Sequence, residues 1–166
     1  LVSDSDIMIN NALKSAIETG YVNNFDKVVI VAGVPISSPI MLNMIKVHQI
    51  CNILGKGSRG FGDIASGKIV KCKDISEAAL NIKGDGSEIL ITKFIDINFK
   101  PLLKGLAGII LEEFSSLNWD DIKKENPNLV YVSGVKNALS YLEDGLIVSL
   151  NGEEKLIYEG VIGAKK

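Results

Sequence analysis

Apolar residues recur along this chain with two different periods, and the change of period marks where one element gives way to another. Ile9, Ala12, Leu13, Ala16 and Ile17 fall at helical spacing behind Ser3 and Asp6, a pair suited to capping the first turn, and Gly20 ends the helix. Val28 to Ala32 is a continuous β-branched and small apolar run with no polar alternation, the pattern of a strand buried on both faces. Gly33 and Pro35 stop it, and Met44, Ile45, Val47 and Ile50 begin a second strand. The polar loop between them, at a strand's carboxyl end, is where an open α/β sheet would place a ligand.

Residues 53–66 change character, with glycine at 55, 57, 60 and 62 and few core formers, and read as a linker. Beyond it, strand-like runs at 68–72, 88–94, 108–112, 129–133, 146–150 and 156–158 alternate with short helical patterns at 75–82, 99–106, 119–125 and 136–142. The expected organisation is an α/β piece over 1–52, the linker, and a second α/β domain over 67–166.

Composition narrows the function classes. The 166 residues carry a formal net charge of −2 and no basic stripe, which argues against nucleic acid as a partner. Arg59 is the sole arginine, so bidentate anion clamps are scarce. Cys51 and Cys72 lack metal-type spacing with each other or with His48 and fit reduced thiols in a cytoplasmic protein. No apolar run reaches the roughly 20 residues of a membrane span, and no secretory leader pattern is present. The acidic pairs at 112–113, 120–121 and 153–154 lack a histidine or a spaced third carboxylate and read as solvated surface, so no metal site is expected. Gly55, Gly57 and Gly60 spell G-x-G-x-x-G, but no helix pattern follows to present its N-terminus to a pyrophosphate.

Two stretches resemble known families. Ser5-Asp6, then Asp26, Val28, Val29, Ile30, Ala32, Gly33, Val34 and Pro35, then Asn43, Ile45, Lys46, Val47 and His48 match in order and spacing the end of the C-terminal α/β domain of pyruvate kinase. That resemblance implies a structural His48. It also implies a loop over 36–42 that in the family helps hold a sugar-phosphate effector. Here the loop lacks the family's glycines and threonines and carries Pro39, which leaves Ser37, Ser38 and Asn43 as the residues that could contact an effector. Fructose bisphosphate or a ribose phosphate is expected to bind weakly or not at all.

The second half is similar to the mobile phosphohistidine domain of phosphoenolpyruvate-utilising enzymes, a swivelling β/β/α module appended to some bacterial pyruvate kinases. The matching residues are Ala65, Ser66, Gly67, Lys68 and Val70; Glu88 to Thr92; and Gly134, Val135, Asn137, Ala138, Leu142, Asp144 and Gly145. The module's histidine turn corresponds to Ser115, Ser116, Leu117 and Asn118, with no histidine and with Glu112 and Glu113 beside it. A domain without that nucleophilic nitrogen is expected to be catalytically silent.

The resemblances together imply the C-terminal portion of a pyruvate kinase, inactive by itself, because the phosphoryl transfer and its Mg²⁺ and K⁺ belong to a barrel domain outside these residues. The implied partners are the rest of that kinase chain and further copies in a homotetramer. A start at Leu1 rather than Met accords with a fragment. A free-standing, non-catalytic binding or scaffold protein built from the same folds is the alternative.

Overall fold

A computed structural model describes residues 4–23, 26–33, 42, 44–115 and 117–162, with only the backbone of 4–6. The chain divides into two compact units, Leu1–Asn52 and Ile53–Lys166.

In the first unit, helix α1 (Asp4–Glu18) precedes strands β1 (Lys27–Ala32) and β2 (Met44–Gln49). As expected, the helix closes at Gly20, whose φ of 74° is a left-handed conformation that glycine adopts without strain. The strands pair antiparallel, with Val29 opposite Val47 and Val31 opposite Ile45. Burial corrects the reading of 28–32 as a strand covered on both sides. Val28, Ile30 and Ala32 face the more covered side, while Val29 and Val31 are 64% and 50% exposed and Ile45 and Val47 are 76% and 67% exposed. Two strands and one helix cannot enclose both faces of a sheet, so an apolar face remains uncovered within this unit. Ser3, the 36–41 loop and Asn43 lie outside the described residues.

The second unit is an α/β fold on one mixed sheet. Its strands are β3 (Ile53–Lys56), β4 (Arg59–Phe61), β5 (Ile64–Lys71), β6 (Glu88–Thr92), β7 (Gly108–Leu111), β8 (Val130–Ser133), β9 (Ile147–Asn151) and β10 (Leu156–Glu159). They lie in the order β3-β10-β9-β5-β6-β7-β8-β4. β5 to β8 run parallel and the outer strands pair antiparallel. Helix α2 (Ile75–Asn81), a 3-10 helix (Ile97–Gly105) and helix α3 (Trp119–Glu125) connect the parallel strands, and α4 (Ala138–Tyr141) precedes β9. Parallel strands need such crossovers, and the alternation of short strands with helical patterns over 68–142 foretold them.

β6, β7 and β8 are buried at every residue, so here the both-face burial expected of a parallel strand is met. Their side chains divide by parity. Ile89, Ile91, Ile110, Val130 and Val132 join Val148, Leu150 and Ile157 in one core. Leu90, Ile109, Leu111 and Tyr131 join Phe99, Leu103 and Ile122 in another beneath the helices.

The expected linker over 53–66 is overturned. β3 and β4 occupy opposite ends of the strand order, yet only Gly57 and Ser58 separate them, so the sheet curls until one short run ties both edges. The Gly57 amide donates to the Lys155 carbonyl at 2.8 Å and the Ser58 amide to the Ser133 carbonyl at 2.7 Å. A Cβ on Gly57 would stand 2.7 Å from the Ser133 carbonyl oxygen. The glycines therefore permit backbones to cross closely rather than confer flexibility.

Candidate functional site

The carboxyl ends of the parallel strands are where an open α/β sheet offers its loops to a ligand. The register places Thr92, Leu111, Ser133 and Arg59 side by side across β6, β7, β8 and β4 at that end. Thr92 and Ser133 are fully buried. The Tyr131 hydroxyl donates to Ser133 Oγ at 2.5 Å, and burial pushes this phenol's pKa upward, which keeps the donor protonated. Thr92 Oγ1 and Trp119 Nε1 are buried without a hydrogen-bond partner. Trp119 stacks on Tyr131 with centroids 3.7 Å apart, and Phe61 leans on both.

The segment 112–118, expected from the sequence to correspond to a histidine turn, follows β7 at this end of the sheet. Its described polar groups are committed to local structure. Glu112 accepts the Leu139 amide at 2.9 Å, and Glu113 pairs with Lys93 at 3.2 Å. Ser115 Oγ donates to the Ile95 carbonyl at 2.8 Å and accepts the Leu117 amide at 3.0 Å. Asn118 caps α3 by accepting the Asp120 amide at 3.1 Å. Leu117 packs against the core under the helices. Ser116 lies outside the described residues. Nothing described in this turn is a nucleophilic nitrogen, and Glu112 and Glu113 set negative charge beside it.

Arg59, which the linker reading left without a structural role, lies over the Phe114 ring at 4.4 Å. Neither residue was legible as a contact in sequence, because the pairing depends on β4 reaching the far edge of the sheet. Arg59→Ala is expected to cost about 0.5–1 kcal/mol, the usual worth of an exposed cation–π contact, measured by urea unfolding. Arg59→Lys is expected to recover only part of it.

The other candidates separate cleanly. His48 is half-buried in β2 opposite Val28, on the more covered face, as a packing role requires. Ser37, Ser38 and Asn43 lie outside the described residues. Among the described residues no group of three or more His, Cys, Asp or Glu could hold a metal ion, and no helix is long and apolar enough to cross a membrane.

Both cysteines are free thiols. Burial, with neighbouring carboxylates led by Glu77, pushes Cys72 up to about 11, and burial raises Cys51. The protonated thiol is the weak nucleophile, so at pH 8 a thiol reagent is expected to leave Cys72 intact until the chain is unfolded. The raised value has no effect on stability below pH 9. Above it the unfolded thiol ionises first, so Cys72 removes stability between pH 9 and about 11. Unfolding midpoints across that window in wild type and Cys72→Ala check this.

Residues 2–48 match the family model described as "Pyruvate kinase, alpha/beta domain". The chain is 30% identical over 158 residues to a pyruvate kinase of Staphylococcus haemolyticus and 32% identical over 157 residues to one of Staphylococcus saprophyticus. Each alignment covers 94% of this chain and 26% of the relative, so the chain spans about a quarter of the length of these proteins. Among solved structures, the holo-form of Thermococcus kodakaraensis aconitase X overlays with a TM-score of 0.48 and 17% identity, covering 63% of this chain and 96% of that one. That overlay is too loose to carry a fold assignment. Residues 2–48 thus carry the pattern of the pyruvate kinase α/β domain, and the similarity to pyruvate kinases extends through both units.

Proposed function

We propose that this chain is the C-terminal, non-catalytic part of a pyruvate kinase, joining the end of its regulatory domain to a phosphohistidine-like domain that no longer carries phosphoryl groups. The observation that supports it most is alignment with pyruvate kinases across 94% of the chain, continuous through the boundary between the two units. On this reading the phosphoryl transfer from phosphoenolpyruvate to ADP occurs elsewhere in a longer cytoplasmic protein. On the same reading the Mg²⁺ and K⁺ that this transfer needs are held by that other part.

The uncovered face of Val29, Val31, Ile45 and Val47 supports a structural role for the first unit, since apolar side chains paired across two strands are stabilised by covering them. The rest of the kinase chain is the proposed cover, within a homo-oligomer. Replacing Val31 by Lys and Ile45 by Glu together is expected to leave the unfolding midpoint of this chain nearly unchanged, because both are half or more exposed and the new cross-strand pair is oppositely charged. The same change in the full-length protein is expected to abolish assembly and activity, read by light scattering and a coupled pyruvate assay. Full activity there would overturn the reading.

For the second unit, incubation with labelled phosphoenolpyruvate and a phosphotransfer partner enzyme is expected to leave no acid-labile label. Label on residues 112–118 would restore a phosphoryl carrier. The loop at 36–42 is proposed to be a weak effector site at most. Tight binding of fructose bisphosphate by the full-length protein, lost on changing Ser37 and Ser38 to Ala, would reverse that.

A further inference from the structure

A cleft of about 470 Å³ opens beside β5, between α2 and the turn before β9. Lys68, Lys71, Lys83, Glu77, Glu88 and Asp144 line it, three cations against three anions. In so small a space these groups would ordinarily close on one another, yet no ion pair forms among them.

The backbone holds the carboxylates instead. Glu77 accepts the Lys73 amide at 2.7 Å, Asp144 the Lys71 amide at 2.9 Å, and Glu88 the amides of Lys83 and Gly84 at 2.7 and 3.3 Å. Glu88 is 5% exposed, so its position is set by packing as well. The lysines are placed separately. Lys71 Nζ donates to the Leu139 carbonyl at 2.5 Å. The Lys68 stem lies across Gly145, where an added Cβ would come within 3.2 Å of Lys68 Cε. Among the described residues the ammonium groups of Lys68 and Lys83 pair with no carboxylate. The carboxylates are thus held by the backbone in advance and apart from the Lys68 and Lys83 ammonium groups, which lowers the cost of presenting them to a ligand that bears both charges.

The charge balance decides the ligand class. A polyanion such as a sugar phosphate would meet three carboxylates, and a polyamine would meet the ammonium groups of Lys68 and Lys83. We propose that this cleft binds a zwitterionic amino acid, its carboxylate taken by Lys68 and Lys83 and its ammonium by the free oxygens of the anchored carboxylates. The volume falls in the usual range for small-molecule sites. All of the lining residues are in the second unit, so this inference does not depend on the kinase reading.

The test is an amide-resolved NMR titration of the full chain with each protein amino acid in turn, with acetate and methylammonium as one-ended controls at equal ionic strength. At least one amino acid is expected to shift the amides of Lys71, Lys83 and Gly84 saturably, and each control to bind about tenfold more weakly or worse. The double change Lys68→Gln, Lys83→Gln is expected to weaken amino-acid binding by about tenfold without moving the unfolding midpoint, since both side chains are exposed. No saturable shift with any amino acid, acetate binding as well as the best of them, or unchanged binding by the double variant would each overturn the proposal.

Discussion

Gly152→Ala is expected to destabilise the second unit by about 3 kcal/mol or more, the upper range for forcing atoms into a closed space. A Cβ there would overlap the Phe61 carbonyl group and stand 2.7 Å from the Gly62 carbonyl oxygen, all of it backbone. The clash cannot be relieved by turning a side chain. Nor can the strands separate freely, because the Gly152 amide donates to the Asp63 carbonyl at 3.2 Å and the Glu153 amide to the Gly62 carbonyl at 3.1 Å. Gly86→Ala is the control. Its Cβ would meet nothing within 4 Å, so only the φ of 81° is unfavourable and about 1 kcal/mol is expected. Trp119, the one tryptophan in the chain, lies stacked on Tyr131 and reports unfolding of this unit by fluorescence. Equal midpoints for the two variants would show that the crossing is looser than its geometry states.

The same crossing explains what the sequence concealed. Alternating apolar and helical patterns located β5 to β10 and the intervening helices, because each element buries residues at its own period. Residues 53–61 have no such period. Their role is to run against other backbones at both edges of the sheet, which selects glycine, and glycine in sequence looks the same whether it serves a tight crossing or a loose tether. Once β3 and β4 were read as a linker, Arg59 could not be placed on Phe114.

Val28 to Ala32 erred in the opposite direction. Its unbroken apolar run reports the burial that a strand requires, not the burial that two strands and a helix supply. The pattern was right about chemistry and silent about which residues would do the covering. At the carboxyl-end site the sequence showed that 115–118 hold no histidine, because absence of a residue type is legible directly. It could not show that Ser115 and Asn118 are spent on local hydrogen bonds, nor that Thr92, Ser133 and Arg59 share a row, since those follow from register.

Ser149→Ala is expected to cost about 3 kcal/mol, because one buried hydroxyl joins three segments. Ser149 Oγ donates to the Gly160 carbonyl at 2.7 Å, accepts the Ile162 amide at 2.8 Å, and meets Ser66 Oγ at 2.7 Å. With its own hydrogen given to Gly160, Ser66 must be the donor in the third bond. Removing the oxygen leaves two donors and one acceptor to find water at a residue that is fully buried. Ser66→Ala removes only one donor and leaves the bonds to 160 and 162 in place, so about 1 kcal/mol is expected. The readout that separates this hub from a simple packing loss is hydrogen exchange at the Ile162 amide. Protection there should disappear in Ser149→Ala and persist in Ser66→Ala. If it persists in both, the segment after β10 is held by its strand pairing with β9 rather than by Ser149, and the larger stability loss should vanish with it.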